Sequence, residues 1–388
     1  MRLPDRDGWE RLISVRSRGE SLCIGLMSGT SADGVEAALC RIRGTGGMLS
    51  LHLVKHLSVP FPKALSTRVI AAKSAMDVAE LDTALGERFG LAANALLEEA
   101  AVAAADVDFI SSHGQTLVHL PPRLSRFPSS LQVGEPGVIA ELTRLPVICD
   151  FRPRDMAAGG EGAPLVPYAD WALFRKPGTW RALQNIGGIA NVSVVGDRLS
   201  DTIAFDTGPG NMLLDAFARK VSRHGFDRGG SLSRRGEVIP ELLKELLKHP
   251  FLRRRPPKSA GRENFGAALA DDLWARYRRR PYELIATAAA FTVESIAQAY
   301  ERFILPSRSL EAVYVAGGGS RNPTLMQGLT ERLAPVPVRS FSELGFPEAA
   351  KEAACFALLG HECVMGTPQN VPSATGARHP AVLGKIVF

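Results

Sequence analysis

Four short segments of this 388-residue chain carry glycines, hydroxyls and carboxylates in orders that suit phosphate chemistry. The first is Met27-Ser28-Gly29-Thr30-Ser31-Ala32-Asp33-Gly34-Val35. Its glycines let backbone amides approach a phosphate, its hydroxyls add donors, and Asp33 supplies an acceptor for a magnesium-bound water. Asp-Gly before a strand also reads as a plain hairpin turn. The second is Phe205-Asp206-Thr207-Gly208-Pro209-Gly210-Asn211-Met212, between a strand and a helix. A carboxylate at the carboxyl end of a strand, followed by glycines and a helix start, suits an anionic substrate, and Asp206 could take a proton from a nucleophile. The competing reading is a helix cap, a role that Asn211 and Thr207 are better placed to fill.

The third is Val315-Ala316-Gly317-Gly318-Gly319-Ser320-Arg321-Asn322-Pro323. Three glycines leave a flat backbone against which an adenine or ribose can lie, and the proline fixes the helix start that follows. A mobile loop is the alternative. The fourth run, Asp150 to Leu165, offers Arg152 and Arg154 to a carboxylate, or else serves as a domain linker.

The elements that would position these residues follow from periodicity. Strands are expected at residues 22–27, 35–40 and 51–59, helical segments from Pro62 to Ala104 with Asp77 or Asp82 as a cap, and a strand from Phe109 toward Thr116. A helix near Gly137–Arg144 and a strand at 146–150 follow. The second half repeats the plan. A hairpin turns at Gly187-Gly188, a strand ends at Asp206, and helices fill 240–247, 267–278 and 284–303. A buried strand, 312–316, then runs into the triglycine. Mixed sheets flanked by helices in two halves, hence α/β with a cleft, is the expected class. The domains expected are residues 21–145 with 366–388, and 146–365, preceded by a mobile extension over 1–20.

Composition excludes several classes. No apolar run reaches a membrane span, and the first 20 residues lack the apolar core of a secretion signal, which suggests a cytoplasmic protein without membrane partners. Five scattered cysteines suit reduced thiols rather than zinc. The net charge of +6 comes with the basic runs 253–255 and 276–280, which lack interleaved aromatics and read as solvated faces, not a nucleic-acid surface.

The order of the motifs is similar to that of the actin, Hsp70 and sugar kinase superfamily. More specifically, Gly25 to Ser31, Ser112 to Thr116, Asp150 to Arg152, Gly162 to Pro167, Asn185 to Asn191, Asp206 to Asn211, Pro257 to Ser259, Gly261 to Glu263 and Gly317 to Pro323 resemble the anhydro-N-acetylmuramic acid kinases. The resemblance implies two ribonuclease H-like (actin-like ATPase) domains with the active site in their cleft, closing on ligand, and a homodimer. It implies ATP and Mg2+ as cofactors and a small anhydrosugar as substrate, opened at its 1,6-anhydro bridge and phosphorylated on O6. Asp206 matches the general base. Nucleotide contacts are implied for Gly29, Thr30, Ser31, Ala32, Asp33, Gly34, Val35 and Glu36, and for Gly187, Gly188, Gly317, Gly318, Gly319 and Asn322, with Asp33 reaching the metal through water. Sugar contacts are implied for Ser28, His113, Arg152, Thr207, Gly208 and Glu352, with Arg152 on the substrate carboxylate.

The chain departs from the family pattern at Glu36, where aspartate is usual, at Ala260, where threonine is common, and at 345–351, which lacks an acidic pair. Two other readings stand beside this one. One is a levoglucosan kinase acting on neutral anhydroglucose, and the other is an actin-like, ATP-driven switch with no sugar chemistry.

Overall fold

The computed structural model describes residues 7–29 and 31–388. Twelve strands are formed among them: β1 (Glu20–Ser28), β2 (Gly34–Arg43), β3 (Ser50–Pro60), β4 (Phe109–Leu120), β5 (Ser129–Val133), β6 (Val147–Cys149), β7 (Trp180–Ile186), β8 (Ile189–Val195), β9 (Ile203–Pro209), β10 (Leu310–Ala316), β11 (Val338–Ser340) and β12 (Lys385–Val387). The chain divides into two compact units, Met1–Leu173 with Ala349–Phe388, and Phe174–Glu348.

The first unit holds a mixed sheet in the order β12-β6-β4-β1-β2-β3, with β5 paired to β4. The apolar run Leu22 to Leu26 makes β1 a fully buried central strand, antiparallel to β2 and parallel to β4. Helix Lys351–Met365 seats its backbone directly on it: a Cβ on Gly25 would lie 1.8 Å from the Ala353 carbonyl oxygen. On helix Ala75–Ala100, Leu81, Leu85, Phe89 and Leu96 join Ile24 and Leu26 in one core. This helix is capped by Ser74, not by the expected aspartates, and Asp77 completes the capping box.

The unit boundaries fall elsewhere than the pattern suggested. β6 pairs with β4 and with β12, so residues 146–173 fold with the first unit, and helix Lys351–Met365 is held there by its packing on β1 and β2. The N-terminal extension also differs from the expected mobile tail in its described residues. Asp7 and Gly19 cap a helix, Gly8–Arg18, whose buried Arg11 donates to the carbonyls of Ala105 and Val107. Residues 1–6 lie outside the described residues.

The second unit holds the sheet β11-β10-β7-β8-β9. The long helix Pro281–Phe303 buries Leu284, Ile285, Phe291, Ile296 and Tyr300 in its core. β9 extends past Asp206 to Pro209. Arg276 and Arg280, from one basic run, form ion pairs with Glu245, Asp272 and Glu283 on an exposed face. All five cysteines are free thiols; burial pushes Cys23 up to about 12. No helix among the described residues is long and apolar enough to cross a membrane.

Candidate active-site residues in the two units

In the first unit the chemistry gathers around Arg152, at the start of the short helix Phe151–Ala157. Its Nε and one terminal nitrogen donate to Nε2 of His113 at 3.0 and 2.9 Å, and the other terminal nitrogen donates to the Gly162 carbonyl at 2.8 Å. Nδ1 of His113 lies 2.9 Å from the Gly114 carbonyl, which can only accept, so that nitrogen carries the ring proton and Nε2 is the bare acceptor. Burial first, and Arg152 second, hold the His113 pKa well below its ordinary value. A neutral ring compensates a neighbouring cation only weakly. Burial accordingly draws the Arg152 pKa down to about 10, against the opposing pull of Glu352 and Asp155. Three of its five N–H groups are used, and among the described residues the other two have no hydrogen-bond partner.

The loop that presents the Gly162 carbonyl is organised by Asp155, which is fully buried. One of its oxygens accepts from the Gly162 amide at 2.9 Å, the other from Asn370 and Thr375, each at 2.8 Å. Gly162 needs its positive φ of 72° to turn that carbonyl toward the guanidinium. The run 150–165 is thus an internal loop of the first unit rather than a linker.

Glu352 lies in the first turn of helix Lys351–Met365. The residue is exposed, yet desolvation of its carboxyl pushes the pKa up; Lys351 and Arg152 oppose the shift and Glu36 adds to it. Glu36 itself accepts from His56 and Ser58, each at 2.6 Å. Burial alone would raise it, but these bonds and the His56 charge hold it low.

The first glycine segment forms a turn between β1 and β2, closed by the Ala32 amide donating to the Gly29 carbonyl at 3.0 Å. Ala32 sits at φ 51°, a strained value for a residue with a Cβ. Ser28, at the buried end of β1, donates to Gln115 at 2.7 Å. A Cβ on Gly29 would meet nothing nearer than Ser31 Oγ at 3.8 Å, so packing does not require a glycine there. Gly34 is the opposite case, pressed against β3 at Val59 and Pro60, beside buried Val35. Asp33 is exposed. Thr30 lies outside the described residues.

In the second unit Asp206 sits on β9, opposite Asn191 of β8. Its amide donates to the Lys258 carbonyl at 3.0 Å, and its carboxylate accepts from the Ala260 amide at 2.7 Å. A backbone donor therefore acts here whatever side chain stands at 260. Thr207 is buried beside Gln184, and Gly208 lies against Ser295, where a Cβ would fall 2.6 Å from the hydroxyl. Asn211 holds the N-cap position of helix Met212–Val221 without a side-chain capping bond; its amide side chain instead donates to the Ile186 carbonyl. That contact, with the Asn211 amide on Gly187 and the Gly210 and Met212 amides on Gly188, docks the β7–β8 turn onto the helix start.

The triglycine joins the same cluster. Gly317 and Gly319 press on Ile186, and the Gly317 amide donates to Glu348. Gly318, Gly187 and Gly188 keep ordinary spacing, with no neighbour nearer than 3.4 Å to a built Cβ. Room without a packing reason is what a nucleotide lying on backbone requires. Asn322 is spent on structure: it caps helix Pro323–Leu333 and reaches Asp227. No group of three or more His, Cys, Asp or Glu among the described residues is placed to hold a metal. Exposed Asp33 offers an oxygen donor of the kind Mg2+ takes through water.

The sequence passed over two groups. Asp155 lay within a motif run but received no role, because its side-chain partners Asn370 and Thr375 stand more than 200 residues away. The Lys258 backbone, which grips Asp206, gave no signal beyond its place in Pro257-Lys258-Ser259.

The family profile of anhydro-N-acetylmuramic acid kinase matches residues 21–388. A protein of that name from Caldanaerobacter subterraneus subsp. tengcongensis is 42% identical over 97% of this chain and 99% of its own length. One from Bacillus thuringiensis subsp. konkukian is 42% identical over 94% and 98%. Among solved structures, the ADPNP-bound activator of 2-hydroxyisocaproyl-CoA dehydratase from Clostridium difficile aligns over 88% of this chain and 96% of its own at 12% identity, with a TM-score of 0.41.

Proposed function

Because this chain belongs to the anhydro-N-acetylmuramic acid kinase family, we propose that it opens the 1,6-anhydro bridge of 1,6-anhydro-N-acetylmuramic acid and phosphorylates the freed O6, in peptidoglycan recycling. In this reading Asp206 accepts a proton from water as the water oxygen bonds to the anomeric carbon. The bond from that carbon to O6 breaks, O6 takes the γ-phosphoryl group of ATP, and the bond to the β-phosphate oxygen breaks to release ADP. The other product is N-acetylmuramate 6-phosphate. The Ala260 amide keeps the Asp206 carboxylate oriented, as a base must be.

Phosphoryl transfer depends mostly on positioning and on neutralising charge. The turn at Gly29 to Gly34 and the open glycines 187, 188 and 318 are the groups proposed to hold the nucleotide. Mg2+, reached from Asp33 through water, would neutralise charge on the phosphates. His113 has both ring nitrogens engaged, so its part in sugar binding is to fix Arg152, not to touch the substrate.

One observation carries the choice of substrate. Arg152 is a half-buried cation that forms no ion pair among the described residues, braced by a neutral histidine and a carbonyl, with two N–H groups to spare. A substrate carboxylate completes it, and the lactyl group of the muramic sugar supplies one. The test is a coupled ADP-release assay with the muramic anhydrosugar, its N-acetylglucosamine counterpart, which lacks the lactyl carboxylate, and levoglucosan, with products weighed by mass spectrometry. The muramic sugar should give the highest kcat/KM and a product heavier by water and one phosphoryl group. A preference for levoglucosan would make the enzyme a levoglucosan kinase, and ADP release indifferent to every sugar would leave an actin-like ATPase.

A further inference from the structure

Lys258 is a buried ammonium with no carboxylate bonded to it among the described residues. It is 8% exposed, and its Nζ lies 4.6, 5.1 and 5.8 Å from the ring centroids of Phe251, Phe303 and Phe205. Its nearest acceptors are the carbonyls of Phe251 and Leu252, at 3.4 and 3.5 Å. A cation desolvated among ring faces gains from their quadrupoles, so three rings and two carbonyls form a seat specific for a positive head. Burial still draws its pKa down to about 8; Asp206 pulls it back up, while Arg302 and Arg254 push it down.

What this seat holds in place is the strip 258–260. β9 is the edge strand of the second sheet, and an unpaired edge fixes its residues poorly. The strip covers that edge at one point, where the Lys258 carbonyl takes the Asp206 amide and the Ala260 amide holds the Asp206 carboxylate. Phe205, the residue before Asp206, supplies one ring of the seat. The two interactions therefore lock the same stretch of β9 from its two faces, through one lysine.

We propose that Lys258 is a positioning residue for Asp206: its caged ammonium fixes the strip that orients the carboxylate. The proposal rests on the reading of Asp206 as general base. Lys258 need touch neither sugar nor nucleotide, and its loss should lower kcat while leaving both KM values nearly unchanged.

The test is a double-mutant cycle with Asp206→Asn, read by kcat with the muramic anhydrosugar. Lys258→Met should lower kcat by about 10- to 100-fold, the scale of coupling between groups in contact, and Lys258→Arg, which keeps the charge, should recover most of it. In the Asp206→Asn background Lys258→Met should cost nothing further, because the group it orients is already disabled. If Lys258→Met fails to fold, Phe303→Leu loosens one wall of the seat and should show a smaller loss with the same pattern. Equal fold-losses in the two backgrounds, or a loss expressed in KM alone, overturn the proposal and leave the general-base reading standing. Full turnover of the single Asp206→Asn variant removes that reading, and the role of Lys258 with it.

Discussion

The Arg152 site of the first unit and the Asp206 site of the second hold a charged side chain by opposite means. Arg152 is held mainly by other side chains: His113 directly, and Asp155 through the loop that carries Gly162. At Asp206 main chain takes part directly, with one amide on its carboxylate and one carbonyl on its own amide. Side-chain braces can choose a protonation state, and His113 does so by offering a bare Nε2 to a guanidinium that forms no ion pair among the described residues. The charge there is left for a ligand to complete. The backbone groups on Asp206 do not themselves titrate, and the strip that carries them is seated by the Lys258 ammonium. The first arrangement suits recognition of an anion, the second a base that must be aimed but not neutralised.

The contrast is sharpest in what each loss should do. Asp206→Asn removes the base but keeps its shape, and turnover should fall by a factor of about 100 to 10,000 with nucleotide affinity, measured by calorimetry, nearly intact. Unchanged turnover would take Asp206 out of the mechanism. Arg152→Met should act on selectivity rather than on turnover in general. Losing charged hydrogen bonds of about 1.5–3 kcal/mol lowers kcat/KM for the carboxylate-bearing sugar on the order of 10- to 100-fold. Anhydrosugars without a carboxylate should be nearly unaffected. An equal loss on charged and neutral sugars would mean that Arg152 shapes the unit and recognises nothing.

How far these two sites were legible beforehand follows from the same contrast. The glycine turn after β1, the strand carrying Asp206 and the triglycine before helix Pro323–Leu333 are local patterns, and each appeared within a few residues of its expected place. The braces are not local. His113 and Arg152 are 39 residues apart, and Asp155 meets Thr375 across 220. Nothing in either segment's composition pairs them. Ser74 outranked the expected aspartate caps because it stands one position before the first turn, where its oxygen reaches the Asp77 amide. The unit boundaries were misplaced for a similar reason: β6 is only three residues long, and its parallel partner lies in a distant strand. The mobile tail was expected because residues 1–20 mix five arginines with Asp5, Asp7 and Glu10 and lack an apolar core, yet in helix Gly8–Arg18 burial of Leu12, Val15 and the Arg11 stem ties the chain down.

The smallest expected effect tests the neutral histidine itself. The unfolded chain titrates His113 near 6.5, whereas in the folded unit burial and Arg152 keep its pKa well below that. Between those two values the unfolded state binds a proton that the folded state refuses, so stability falls as pH falls through that window and is fully present above it. His113→Gln keeps an acceptor for Arg152 but cannot titrate. Its thermal midpoint should drop less steeply than that of the parent protein between about pH 7 and pH 5, by a share of up to about 1.4 kcal/mol per pH unit. His119, drawn down to about 4 by burial, Arg152 and Arg123, along with His249 and His361, keeps a residual slope in the variant. Identical slopes would mean that His113 takes up a proton in the folded unit, and a protonated ring cannot accept from Arg152. Recognition at the first site would then need another brace, and the difference from the backbone-held aspartate would narrow.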